Sequence, residues 1–280
     1  MKRIHFGIFF LLLCFLLCAC RGEEPSPALR IHFFDVGQGD SVLLRTTEGD
    51  ILIDAGTEDA QELLCLRLEQ LGVTELALAV FTHPDEDHIG GADGVLAQFP
   101  TKEIWLNGSP MTNDAARRML AVADQTDVAI HTVRTGEIRH FGDAVISVLA
   151  PLQNVTEAGN EGSIVLKVHC GEIDAILTGD AGSEQEDALV AAYGKTQLAC
   201  DLYKVGHHGS NTSNSEIFVQ TLQPSYAVIS CGAANSYGHP FGEVLARLED
   251  VGATVLRTDL LGEIVFETDG KTLTYVPPDR

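Results

Sequence analysis

The sequence predicts an α/β protein in which two mixed β-sheets pack face to face with helices outside. Three observations lead there. Strand-like runs begin each half of the chain, helical periodicities are interspersed with them, and no linker divides residues 29–276. Elements with one apolar face must bury it in layers, and this order of elements suits two sheets over a shared core. Residues 29–276 are therefore read as one domain.

The elements follow in chain order. Leu29 to Phe34 and Ser41 to Arg45 alternate as two strands joined by a turn-rich stretch from Asp35 to Asp40. Ile51 to Asp54 is a third strand, and Asp59 to Leu71 has helical period closed by Gly72. Leu76 to Phe81 is a strand, and Gly91 to Phe99 a short helix. Glu103 to Trp105, Asp114 to Ala123 and Ala129 to Val133 continue as strand, helix and strand. In the second half, Ser163 to His169 and Ala175 to Thr178 read as strands around a turn at Gly171. Glu184 to Ala192, Glu216 to Leu222 and Glu243 to Leu248 read as helices, with strands at Leu202 to Val205 and Tyr226 to Ser230. A hairpin, Glu263 to Glu267 and Thr272 to Val276, closes the chain across Asp269-Gly270.

The first residues stand apart from this domain. Lys2 and Arg3 precede an apolar run from Ile4 to Ala19, which suits the hydrophobic region of an export signal. The run ends in Leu17 to Cys20, which resembles a bacterial lipobox. A signal over 1–19, a lipidated Cys20 and a Glu/Pro-rich tether over 20–28 are expected, with an uncleaved anchor helix as the alternative. Either places the domain on the outer face of the cytoplasmic membrane.

Of seven cysteines, those at 14, 18 and 20 belong to this segment, and the other four have no Cys-x-x-Cys spacing, which argues against a zinc knuckle. Cys65, Cys170 and Cys231 sit in apolar runs as small core residues. The net charge of −22 argues against a broad basic track for nucleic acid. Acids spent on metal ions weaken that exclusion, because ions can then hold a substrate phosphate.

The most informative stretch is Thr82 to Gly91. It sets His83, Asp85, Asp87 and His88 within six residues, directly after an apolar strand. Imidazole and carboxylate are the donors for Zn, Mn or Fe, and two such ions together polarise a substrate and supply a nucleophile. An alternating loop sends His83 and Asp85 toward one ion and lets Asp87 and His88 turn toward another. Asp180 ends a buried strand, either as a helix N-cap or as a ligand. His207 and His208 end another strand; His207 is favoured as ligand, His208 as a group behind the ligands or facing substrate. His239, in a glycine–proline loop, suits a proton donor to a leaving oxygen. There is no Gly-x-Ser-x-Gly elbow and no phosphate-binding P-loop.

Together these residues resemble the metallo-β-lactamase superfamily. The stretches Asp35 to Ser41, His83 to Gly91, Asn160 to Ser163, Thr178 to Asp180, His207 to Ser210 and Tyr237 to Pro240 look like the extracellular hydrolase domain of ComEC-type competence proteins. The resemblance implies an αββα sandwich with two divalent ions, Zn or Mn, between the sheets. It assigns His83 and Asp85 to one ion and Asp87, His88 and His207 to the other, with Asp180 bridging. Asp54 resembles the superfamily's supporting aspartate, which orients a ligand histidine. Gln38, Asp40 and Ser41 would lie near the mouth, and Asn160, Ser163, Ser210 and Tyr237 behind the ligands or beside the substrate. Two departures matter. Asp85 replaces the second histidine of the superfamily signature, and Asn160 to Ser163 lies where a third would stand. The first site is therefore oxygen-rich and leans toward Mn. Asp87, His208 and His239 carry the expected catalysis. The implied activity is metal-dependent phosphodiester hydrolysis, with DNA as the substrate the resemblance suggests. Phosphorylcholine or teichoic-acid esters are the alternative substrate, and a non-catalytic surface module in DNA uptake the alternative function. The chain is expected to be the hydrolase part alone, without a competence transmembrane bundle.

Overall fold

The computed structural model describes residues 27–277, and their strands assort into two sheets. The first contains β1 (Leu29–Phe33), β2 (Val42–Thr46), β3 (Gly49–Ile53), β4 (Leu78–Phe81), β5 (Glu103–Leu106) and β6 (Ala129–Thr132) in sequential order. The second contains β7 (Ile138–Phe141), β8 (Ala144–Ala150), β9 (Val165–Cys170), β10 (Ile173–Leu177), β11 (Leu202–Lys204), β12 (Tyr226–Ile229) and β13 (Thr254–Arg257). The closing hairpin, β14 (Ile264–Thr268) and β15 (Leu273–Val276), returns to the first sheet. There β14 pairs antiparallel with β1, Ile31 opposite Phe266. The expected signal over 1–19, Cys20 and most of the tether over 20–28 lie outside the described residues. Among those described, no helix is long and apolar enough to cross a membrane.

Alternation along the strands builds the layers, since successive side chains point to opposite faces. Leu44, Ile51, Val80 and Trp105 of the first sheet meet Ile146, Leu166, Ala175 and Val228 of the second in one central core. Their neighbours Leu43, Leu52 and Ala79 face outward against Leu64 and Leu68 of α1 (Gln61–Gln70), Val95 of α3 (Ala92–Gln98) and Met119 of α4 (Asp114–Thr126). Between β4 and α3 a single turn, α2 (Glu86–Ile89), intervenes. On the other side Ile176, Tyr203 and Ala227 pack under Leu189 of α5 (Ser183–Leu198), Phe218 of α6 (Glu216–Leu222) and Leu248 of α7 (Gly242–Asp250). This is the four-layered α/β sandwich that the order of elements predicts. Each fully buried leucine contributes about 1.5–3 kcal/mol, and Leu166→Ala in the central core would cost about 2–5 kcal/mol.

Three strands go beyond the sequence reading. β7 is an edge strand with polar Arg139 and His140 at its centre, so its apolar period is faint. β8 alternates clearly and is signalled by Gly142-Asp143 before it. β13 carries only half-buried apolar side chains at the opposite edge. All four cysteines at 65, 170, 200 and 231 are buried free thiols.

The topology fixes where chemistry gathers. β3, β4, β5 and β6 run parallel to one another, as do β10, β11, β12 and β13. Ligands of open α/β sheets bind beyond the carboxyl ends of parallel strands. Here the ends of β3, β4, β10, β11 and β12 carry Asp54, His83, Asp180, His207 and Ser230 within a few residues.

Candidate metal centre

Three loops meet across the seam between the sheets. The chain leaves β4 at Thr82, passes His83 and Asp85, and turns into α2, which presents Asp87 and His88. Opposite it, the end of β10 delivers Asp180 and the end of β11 delivers the His207-His208 pair. Each of Asp87, His88, Asp180 and His208 offers an oxygen or ring nitrogen within 4.8 Å of the others. His208 Nε2 is 3.1 Å from Asp87 Oδ2 and 3.6 Å from Asp180 Oδ2, and His88 Nε2 is 3.2 Å from Asp180 Oδ1. Donors held about 2.0–2.2 Å from one ion are themselves about 3–3.6 Å apart, so these spacings fit a shared cation.

His83 and Asp85 border this group. His83 Nε2 is 3.6 Å from Asp85 Oδ2 and 4.0 Å from Asp180 Oδ2. His207 approaches Asp180 Oδ2 at 3.6 Å from the solvent side, with Asn160 Nδ2 3.2 Å from its Nδ1. His83 Nε2, His88 Nε2 and Asp180 Oδ1 are buried with no hydrogen-bond partner. His88 and Asp180 face each other at close range without hydrogen-bond geometry, as two ligands of one ion do. Buried polar atoms are otherwise almost always paired, so the donor set fits divalent metal.

The histidine pair differs from expectation. His208, not His207, joins the tight group: it is buried while His207 stays on the solvent side, and both residues adopt left-handed backbone, with φ of 50° and 54°. That conformation costs each non-glycine residue about 1–3 kcal/mol, and it turns both rings toward Asp180. The surrounding loop holds it. Asn214 accepts from the Gly206 N–H and donates to the Gly206 and Ser210 carbonyls, and Glu186 accepts from the Asn214 and Ser215 N–H groups. Neither residue carries a sequence motif; a glutamate on the buried face of a helix is the signal that points to such a partner.

Behind the ligands stand buried acids. Asp54, in left-handed backbone, takes the Thr82 N–H and hydroxyl and lies 2.8 Å from His88 Nδ1. Asp40 and Ser41, expected near the mouth, are sealed beneath it because their loop folds inward. The Ser41 hydroxyl donates to the Asp54 carbonyl. Gly39 permits this: a Cβ there would come within 2.4 Å of the Asp87 carbonyl oxygen. Ser163 Oγ accepts from the Asp180 N–H, and Ser210 Oγ is 3.0 Å from Thr212 Oγ1, so both brace loops instead of facing solvent.

The mouth is formed by Gln38, Tyr237 and His239. Gln38 Nε2 is 3.4 Å from His239 Nδ1, and Tyr237, 66% exposed, stacks on His239 with ring centroids 5.6 Å apart. Burial, reinforced by the charges of His208 and His207, pushes His239 down to about 4. Burial works to lower His208 as well, but Asp180 and Asp40 outweigh it and hold the ring at about 10. Burial would raise Asp180, yet His88 and His208 keep it well below the ordinary carboxylate range. In a metal-free protein, protons on His88 and His208 thus offset the buried acids, and metal binding to a histidine requires its unprotonated nitrogen.

Comparison with known proteins identifies the family and the fold. The sequence profile of the Metallo-beta-lactamase superfamily matches residues 34–233. The chain is 31% identical over 291 residues to ComE operon protein 3 of Bacillus subtilis (strain 168), covering 97% of this chain and 36% of that protein. It is 35% identical over 244 residues to Competence protein ComA of Neisseria gonorrhoeae, covering 86% of this chain and 33% of that protein. The chain thus spans about a third of the length of these curated relatives. Among solved structures, the metallo-beta-lactamase fold protein YhfI from Bacillus subtilis superposes with a TM-score of 0.55 at 11% identity, covering 85% of this chain and 99% of that one.

Proposed function

The chain belongs to the metallo-beta-lactamase superfamily, whose members are metal-dependent hydrolases, and from this premise we propose that it is a phosphodiesterase of the competence class acting outside the cytoplasmic membrane. The observation that carries the reading is the convergence of Asp87, His88, Asp180 and His208, in which the buried His88 Nε2 and Asp180 Oδ1 find no hydrogen-bond partner among the described residues. The similarity to two competence proteins supports a phosphodiester substrate, DNA first among them.

In this reading Asp87, His88, Asp180 and His208 would hold one divalent ion, and His83 and Asp85, which border that group, would help to hold a second. Ions bound there supply positive charge for the phosphoryl oxygens and a nucleophile at neutral pH. The chain's own residues provide orientation. Asp54 fixes His88, while Asp40 and the Ser230 carbonyl fix His208. His239 and Gln38, at the mouth, are placed to hydrogen-bond the leaving group. Attachment through a lipidated Cys20 belongs to the same proposal and rests on residues 1–28 alone. Membrane fractionation of cells carrying Cys20→Ser tests it: release of the protein supports the anchor, and unchanged retention rejects it.

The experiment for activity is purified protein with Mn²⁺ or Zn²⁺, assayed on single-stranded DNA and on bis(p-nitrophenyl) phosphate. Cleavage of both supports the nuclease. Cleavage of the small diester alone removes DNA as substrate and favours a wall-polymer ester, which the charge of −22 suits no worse. Cleavage of neither, with metal bound, rejects the enzyme.

A further inference from the structure

We propose that Lys204 is a positioning residue of the metal centre, anchoring Asp40 behind His208 so that the imidazole is held with Nε2 toward Asp87 and Asp180. The inference rests on the metal-binding reading of that cluster and adds a residue outside it.

A lysine at the end of a buried strand calls for an explanation. Lys204 is 1% exposed, on β11 between the apolar Tyr203 and Val205, and charged groups are almost never buried so fully unless paired. Its ammonium lies 2.5 Å from Asp40 Oδ2 and donates to the Val205 carbonyl at 2.9 Å. Asp40 is 3% exposed, and its other oxygen lies 3.3 Å from His208 Nδ1. The same ring nitrogen is 2.9 Å from the Ser230 carbonyl. The Ser230 carbonyl takes the proton on Nδ1 and the Asp40 carboxylate stands beside the same nitrogen as a buried negative charge, so Nε2 is turned toward Asp87 and Asp180, an arrangement typical of metal-bound histidines.

Asp40 also works through its backbone. Its N–H donates to the Asp87 carbonyl at 3.1 Å, and its carbonyl accepts from Gly56, two residues after Asp54. One residue therefore touches the loop bearing Asp87, the turn bearing Asp54 and the ring of His208. Asp40 precedes β2 of the first sheet, whereas Lys204 belongs to the second. The ion pair thus joins the sheets directly behind the ligands and sets the distance at which His208 meets Asp87. Asp54 plays the matching part behind His88, but with the Thr82 N–H and hydroxyl as its partners. Behind His208 the lysine supplies the fixed partner instead.

The test measures Mn²⁺ affinity directly, by calorimetry on the metal-free full chain, for Lys204→Met, Asp40→Asn and the double variant. Thermal unfolding in EDTA is recorded in parallel, with Leu68→Ala as a control destabilised from the outer layer. Positioning predicts that each single variant binds Mn²⁺ about 10–100-fold more weakly, and that the double variant is no weaker than the worse single, because the pair acts as a unit. Leu68→Ala keeps wild-type affinity. A folded Lys204→Met that binds within twofold of wild type overturns the proposal, as does a double variant whose loss is the product of the two singles. If Lys204→Met does not fold, the double variant, which removes both buried charges together, decides: a loss matching Asp40→Asn supports the proposal and wild-type affinity rejects it. A wild-type chain that binds no ion refutes the metal centre itself, and this outcome is distinct from the others.

Discussion

Asp54 Oδ2 and His88 Nδ1 lie 2.8 Å apart in full burial, and the carboxylate is held from behind by both polar groups of Thr82. The ring therefore cannot rotate without breaking its bond to a carboxylate that two further hydrogen bonds hold in place, and its Nε2 stays on Asp180. Asp54→Asn keeps the shape but replaces a carboxylate acceptor with an amide. The expected result is a loss of about 10–100-fold in metal affinity, read by calorimetry, with a parallel loss in kcat/KM. Unchanged affinity would show that His88 does not depend on this acid.

Metal removal should destabilise the whole chain. An ion that binds only the folded state contributes about 2.7 kcal/mol at 100 times its Kd. For a domain of this size that corresponds to about 5–10 °C in Tm. Thermal unfolding with saturating Mn²⁺ and then with EDTA measures it; identical midpoints would contradict a centre built across both sheets.

The two adjacent histidines should separate experimentally. His208→Ala removes a member of the tight group, so the chain loses one ion and at least about 100-fold in kcat. His207→Ala leaves Asp87, His88, Asp180 and His208 intact and retains that ion. Metal content by mass spectrometry after dialysis distinguishes them, and loss of the ion in His207→Ala alone would reverse the assignment.

Far from the site, Glu263 joins two elements through His32 and Arg67, at 2.6 Å to each. Burial would raise its pKa, but hydrogen bonds from His32 and Arg67 outweigh burial and hold it below the ordinary value. A lowered carboxylate stabilises the fold above its unfolded pKa and loses that contribution as pH falls through its folded one. Glu263→Gln should cost about 0.5–1.5 kcal/mol at pH 7, and the deficit should shrink as pH drops below about 4. Urea unfolding across that range checks it; a deficit that grows toward acid would be the wrong sign.

Much of this was legible in the sequence because buried parallel strands advertise themselves. β4, β10, β11 and β12 read as apolar runs, and the residues just beyond them carried the chemistry. The superfamily followed from His83, Asp85, Asp87, His88, Asp180 and the histidine pair. What failed to show were properties of backbone direction and long-range pairing. The choice between His207 and His208 depends on which ring is buried in a loop of two left-handed residues, and no periodicity reports that. The family resemblance puts Asp40 near the mouth, whereas Gly39 lets its loop press inward against Asp87. Lys204 was visible as a charge in an apolar strand, but its partner lies more than 160 positions earlier. β7 escaped because an edge strand needs little apolar pattern.

The donors of the tight group are divided between the layers: Asp87 and His88 follow β4, whereas Asp180 and His208 follow β10 and β11. Neither half of the sandwich alone holds a complete grip, so a cation can be retained only while the halves are closed. Its escape into a chelator then becomes a clock for how often the two faces part.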